Sequence, residues 1–223
     1  MENQIKGKSC CSNSSTNNNT ELIAHWDNVY TTKPENQLGW YETNVQPSIQ
    51  LIERTGLEKS ARLFNVGAGS TRLVDELLTM GYTNLIATDI SHVALEQLEE
   101  RVNANNVTFI VDDLTHPTTL NTLEPVDCWI DRAVLHFFTE EKDQDTYFKL
   151  LKTKVKPGGF ALLAEFNLDG ATKCSGLPVK RYNAKMLQEK LGVDFDLLET
   201  FDYTYINPSG GERPYVYTLF QRK

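Results

Sequence analysis

The segment Leu63-Phe64-Asn65-Val66 is apolar enough for a strand, and it runs straight into Gly67-Ala68-Gly69-Ser70. A helix-compatible stretch follows, and the next apolar run, Leu85-Ile86-Ala87-Thr88, ends on Asp89. This order constrains the fold more than any other feature. A strand, a glycine turn and a helix in succession demand a parallel crossover. An acidic residue closing the neighbouring strand then faces the same end of the sheet as the turn. Such a site suits a nucleotide-like ligand: glycines let the backbone approach it, and a carboxylate can accept ribose hydroxyls. A GxG turn alone is also compatible with a tight turn that binds nothing.

The alternation continues along the chain. Strands are expected at Arg62–Val66, Asn84–Thr88, Val107–Val111, Cys128–Ile130 and Phe160–Glu165, with helices at Thr71–Met80, His92–Ala104 and Glu141–Val155. Ser91 and Thr139 are expected N-caps, and Gly81 a helix stop. After a helix at Ala184–Leu191, two alternating runs, Phe195–Thr204 and Tyr215–Phe220, flank the turn-rich Asn207-Pro208-Ser209-Gly210-Gly211. The expected fold is α/β: a doubly wound, mostly parallel seven-stranded sheet, helices on both faces, and a C-terminal antiparallel hairpin.

Residues 1–20, rich in Asn, Ser and Thr, are expected to form a disordered polar tail. Residues 21–223 are expected to form one domain, with a helical cap at about 21–56 in which Ile23, Trp26, Val29 and Tyr30 share a helix face. The net charge of −8 and the lack of a basic stripe argue against nucleic acid. No apolar run has the length of a membrane span, and no signal-like core opens the chain, so a cytoplasmic protein is expected. Cys10, Cys11, Cys128 and Cys174 have neither CxxC nor zinc spacing, so neither a metal site nor a disulfide framework is expected.

Three features narrow the ligand. Arg72 stands where a GxGxxG motif has its third glycine, Asp112-Asp113 closes the third strand, and the terminal hairpin is foreign to a simple dinucleotide fold. With Asn65-Val66-Gly67-Ala68-Gly69-Ser70, Asp89-Ile90-Ser91, Asp113-Leu114 and Lys156-Pro157-Gly158-Gly159, the chain resembles the class I (seven-strand, Rossmann-like) methyltransferases that use S-adenosylmethionine. Its N-terminal pattern Trp26-Asp27…Tyr30…Trp40-Tyr41 is similar to that of the elongation-factor lysine methyltransferase branch.

The resemblance implies S-adenosylmethionine as cofactor, bound by Trp26, Tyr30, Trp40, Gly67, Ala68, Gly69, Asp89, Ile90, Asp113, Leu114 and Arg132. Asp89 would accept the ribose hydroxyls, Asp113 the adenine amino group, and the aromatics would cover the sulfonium. Two departures stand out: Asn65 replaces the usual acidic residue, and Asp131-Arg132-Ala133-Val134 replaces the branch's acid-Lys-Gly-Thr.

Acceptor groups are expected after the fourth and fifth strands. His136 is the expected general base, with Asp131 orienting it and Tyr182 as a second base. Arg181 and Tyr182, with His136, are the expected acceptor contacts, because a guanidinium grips an anion bidentately. The expected partner is a small-molecule acceptor methylated on oxygen or sulfur, anionic acceptors included. A protein lysine is the alternative. A thiophilic metalloid held by Cys10, Cys11 and Cys174, or a binding module that has lost the donor, are further readings.

Overall fold

All four residues of β1 (Leu63–Val66) are buried, as are all five of β2 (Leu85–Asp89). Strands of this kind are covered on both faces and read as continuous apolar runs. The computed structural model describes residues 14–223, with side chains from Thr20 onward. In it β1 pairs in parallel with β2 and with β4 (Val126–Arg132). β2 pairs in parallel with β3 (Val107–Val111), and β4 with β5 (Val155–Phe166). β9 (Glu212–Arg222) adds antiparallel to β5, and β8 (Phe195–Ile206) antiparallel to β9. The order across the sheet is β3-β2-β1-β4-β5-β9-β8, which is the expected fold class.

The period-two alternation of each strand sends its side chains to two separate cores. Leu63, Cys128, Ile130 and Leu162 face one layer, where α2 (Gln46–Arg54) and α3 (Leu73–Thr79) supply Ile52, Val74 and Leu77. Leu95 and Leu98 of α4 (His92–Val102) join that layer. Phe64, Trp129, Ala161 and Leu163 face the other, covered by Tyr147 and Leu151 of α5 (Glu141–Lys154) and Leu187 of α6 (Ala184–Leu191). A two-residue pair, β6 (Lys173–Cys174) with β7 (Leu177–Pro178), follows β5 and had no signature in the sequence.

The first helix, α1 (Ser14–Thr32), begins inside the stretch expected to be a tail. Once its apolar face is docked, each further helical residue adds a bond at little cost. Ser91 caps α4 as expected, accepting from the backbone N–H of Ala94 at 3.2 Å. Thr139 does not cap α5: Glu140 occupies the N-cap, without a side-chain bond. Lys156-Pro157-Gly158-Gly159 belongs to β5 and forms a bulge, since the register jumps from Val126–Val155 to Cys128–Phe160. Gly159 lies tight against the Asp127 carbonyl, leaving no room for a side chain.

Candidate active site

Gly67 and Gly69 both adopt positive φ, +53° and +54°, where an L side chain is strained. Space excludes one as well. A Cβ on Gly67 would overlap Val134 Cγ2, and one on Gly69 would overlap the Tyr30 hydroxyl. The turn is therefore built around contacts from α1 and from the residues after β4. Arg101 of α4 staples it from outside, donating to the carbonyls of Ser70 (2.9 Å) and Thr71 (2.7 Å) and to Asp75.

Asp89 is buried at the end of β2. Its Oδ2 accepts from Gly69 N–H at 2.8 Å and its Oδ1 from Ser91 N–H at 2.9 Å. Burial pushes its carboxyl up to about 6, with those backbone donors opposing the shift. Asp112 is consumed by its own loop, accepting from Thr118 and Leu120 N–H. Asp113 accepts from Thr115 N–H at 2.7 Å and lies 3.2 Å from His116 Nδ1.

A cavity of about 1100 Å³, its mouth included, opens along these strand ends. Its wall includes Trp26, Tyr30, Trp40, Gly67, Asp89, Ile90, Asp113, Leu114 and Arg132, nine of the eleven residues expected to hold the cofactor. Ala68 and Gly69 stand in the turn behind that wall. The Ala68 N–H donates to the Thr88 carbonyl at 2.8 Å, and the Gly69 N–H to Asp89.

A roof of aromatic rings spans three segments. Trp26 meets Trp40 at 5.5 Å and Phe137 at 5.0 Å between centroids, both edge to face, and Tyr30 meets Trp40 at 5.9 Å. Asp27 fastens this roof to α4, accepting from the Ser91 hydroxyl at 2.6 Å and lying 3.0 Å from His92 Nδ1.

Glu42 and Cys174 are among the wall residues that lie outside the expected site. Glu42 Oε2 lies 2.9 Å from Arg132 Nε, and both side chains are nine-tenths buried or more. Arg132 also donates to the Tyr217 hydroxyl (3.2 Å) and the Trp40 carbonyl (3.3 Å), with its guanidinium 5.0 Å from the Tyr215 ring. Burial raises the Glu42 carboxyl and Arg132 pulls it back. The Cys174 thiol is pushed up to about 11 by burial, so it stays protonated near neutral pH. Cys10 and Cys11 lie outside the described residues.

The expected acceptor groups are placed elsewhere. His136 is fully buried, stacked on Phe166 at 4.7 Å, with Nδ1 2.9 Å from Glu165 Oε2. Burial holds its imidazole down at about 3. The ring that was the expected general base thus packs in the interior and is not part of the cavity wall. Asp131 accepts from the Tyr147 hydroxyl (2.6 Å) and from Val134 and Leu135 N–H, fixing the 3₁₀ turn Leu135–Phe137. Tyr182 is buried with its phenol raised by desolvation. Arg181 donates to the carbonyls of Leu168 and Gly170. None of these four residues lines the cavity.

Behind the site, burial pushes Glu165 up to about 8, and Asp131 is raised by burial and then by Glu165. The folded state therefore keeps a proton on this pair that the unfolded chain, with an ordinary glutamate, releases near pH 4.3. The sign follows: between those values the folded state binds more protons, so stability falls as pH rises. From pH 6.5 to 8 the expected loss is about 2 kcal/mol, or roughly 4–8 °C in Tm. Glu165→Gln, which mimics the protonated acid, should flatten that slope in thermal melts. An undiminished slope in the variant rejects the assignment.

Residues 64–159 match the sequence profile of a methyltransferase domain family. The chain is 24% identical over 159 residues to EEF1A lysine methyltransferase 2 of Danio rerio, covering 64% of this chain and 67% of that protein. In fold it is similar to an S-adenosylmethionine-dependent methyltransferase from Anabaena variabilis (TM-score 0.74, 15% identity, 92% and 95% of the two chains). It is also similar to the N-methyltransferase NodS from Bradyrhizobium japonicum bound to S-adenosyl-L-homocysteine (TM-score 0.67, 14% identity, 90% and 97%). The cavity fits such a ligand, with carboxylates at the ends of β2 and β3, a glycine turn at β1 and aromatic faces above. Domain, fold and cavity agree: residues 64–159 match a methyltransferase domain, set in a fold similar to that of S-adenosylmethionine-dependent methyltransferases.

Proposed function

We propose that this enzyme methylates a small acceptor on sulfur or on an acidic oxygen, by in-line displacement. The observation that supports this most is the chemistry of the wall that remains once the glycine turn, Asp89 and Asp113 are given to the donor. That remainder is mostly apolar and aromatic, with Leu22, Trp26, Val134, Phe137 and Phe138 beside Cys174, and its Glu42 and Arg132 are paired with each other. When bound, the donor supplies an electrophilic methyl group on a sulfonium. The chain's own residues align the two reactants and exclude water, which are the main needs of such a transfer. Ring faces over the sulfonium also favour its positive charge.

His136 and Tyr182 lie away from the cavity, and the phenol of Tyr30, which lines it, is raised by burial, so among the described residues no imidazole or phenol of the wall is a base at neutral pH. An acceptor whose own pKa lies near or below neutrality, or whose thiol ionises readily, needs no such base. A lysine ammonium, with an ordinary value of about 10.4, needs one. Arg181 is committed to backbone carbonyls, so an anionic acceptor finds no free guanidinium there.

The second reading, protein-lysine methylation, draws on the similarity to the Danio rerio enzyme. Methyl-labelled S-adenosylmethionine, incubated separately with a small-molecule extract and with cell protein, separates the two. Label is expected in the small-molecule fraction and absent from polypeptide bands. Label in a polypeptide overturns the proposal in favour of lysine.

A further inference from the structure

Residues 33–45, between α1 and α2, carry Trp40 of the aromatic roof, yet little of their backbone is tied down. The N–H groups of Lys33, Gln37, Leu38 and Tyr41 donate to the carbonyls of Val29, Pro34, Glu35 and Leu38, all within the segment or in α1. Among the described residues, no backbone–backbone bond joins this segment to the sheet or to the glycine turn. Side chains fasten it instead. On the β4 and β8 side, Arg132 donates to the Trp40 carbonyl and the Tyr205 hydroxyl to the Tyr41 carbonyl.

On the glycine-turn side the fastening is Glu35, in the 3₁₀ turn Glu35–Gln37. Its Oε1 accepts from Arg101 Nη1 at 3.2 Å and lies 3.6 Å from Arg72 Nε. A guanidinium has five N–H donors, and Arg101 uses all of them. Nε and Nη2 reach Asp75, Nη1 and Nη2 reach the Ser70 and Thr71 carbonyls, and the last Nη1 donor goes to Glu35. One rigid fork therefore grips both the turn and the roof segment. Arg72, which also hydrogen-bonds Tyr41, stands where a GxGxxG motif has its third glycine. A glycine there could reach neither Glu35 nor Tyr41. Glu35, Arg72 and Arg101 are all absent from the cavity wall.

We propose that Glu35 is the catch of a strap across the donor cavity: gripped by Arg101 and Arg72, it holds residues 33–45, and Trp40 with them, closed over the donor. The donor enters and leaves when that grip opens, and closure excludes water from the transfer. Arg72 and Arg101 are thus positioning residues that act through Glu35. The inference rests on the donor occupying this cavity and is independent of the acceptor. Because the catch touches no ligand, weakening it changes how often the strap opens. Entry and exit then accelerate by the same factor, and affinity stays put.

Stopped-flow tryptophan fluorescence with S-adenosylhomocysteine tests this, since Trp26 and Trp40 stand in the roof. The observed rate against concentration gives kon as slope and koff as intercept. Glu35→Gln, nearly isosteric but uncharged, is expected to raise both about tenfold, as the loss of one charge-assisted hydrogen bond would. Its calorimetric Kd should stay within roughly twofold of wild type. Arg72→Gln is expected to raise both rates about threefold, because a more exposed ion pair contributes less. Unchanged rates in either variant overturn the inference. So does a weaker Kd with unchanged kon, the signature of a static structural contact. If S-adenosylhomocysteine does not bind wild type, the donor assignment itself fails, and this inference with it.

Discussion

Asp89→Ala is expected to weaken S-adenosylhomocysteine binding by roughly 100-fold or more: as the proposed acceptor from two ribose hydroxyls it would lose hydrogen bonds to a charged group, each contributing about 1.5–3 kcal/mol. The same carboxylate anchors the glycine turn through Gly69 N–H, so its loss also loosens the surface on which the donor lies. Titration calorimetry reads the affinity directly, and a Kd within threefold of wild type removes Asp89 from the donor site. A pH series gives a second reading. The carboxyl sits at about 6 in the ligand-free protein. It must be ionised to accept from both hydroxyls, so affinity should rise as pH increases through 6 and level off above it. Asp89→Asn, which has no such titration, should lose that rise.

Gly67→Ala acts on the same turn by a different route. The backbone there has φ of +53°, costing a side chain about 1–2 kcal/mol, and the new Cβ must also push Val134 aside at about 1–3 kcal/mol. Together these predict a destabilisation of about 2–5 kcal/mol, with a lowered Tm and loss of donor binding. The steric part can be isolated. In Gly67→Ala/Val134→Ala the overlapping methyl is gone, so the double variant should lose less stability than the two single losses summed. Strict additivity, or an unchanged Tm in Gly67→Ala alone, shows that the contact does not constrain the turn.

What was legible in the sequence was what depends on periodicity. Buried strands announce themselves as apolar runs, helices by their faces, and the β1 turn by two glycines followed by an acid on the next strand. Those signals gave the sheet and much of the cavity wall at the strand ends. The expected acceptor residues lie off the cavity wall because a polar residue after a strand does not reveal its direction. In the 3₁₀ turn Leu135–Phe137, neighbouring side chains point about 120° apart. Phe137 thus reaches the cavity while His136 is turned against Phe166. Glu42 was invisible for another reason. It sits in an irregular connection, and only its meeting with Arg132, far along the chain, gives it a place. Thr139 shows the limit of capping rules: α5 starts at Glu141 as expected, but the residue before it is Glu140, which caps without a side-chain bond.

The strand order carries one more consequence, for how the molecule is made. β9 is synthesised after β8 yet lies between β8 and β5. During translation, β8 therefore emerges with no completed neighbour to pair with. Its alternating apolar residues wait in solution until β9 arrives to join both sides at once. Until β9 pairs with it, β8 is an unpaired strand open to another chain, so pairing of β8 depends on the last strand to be made.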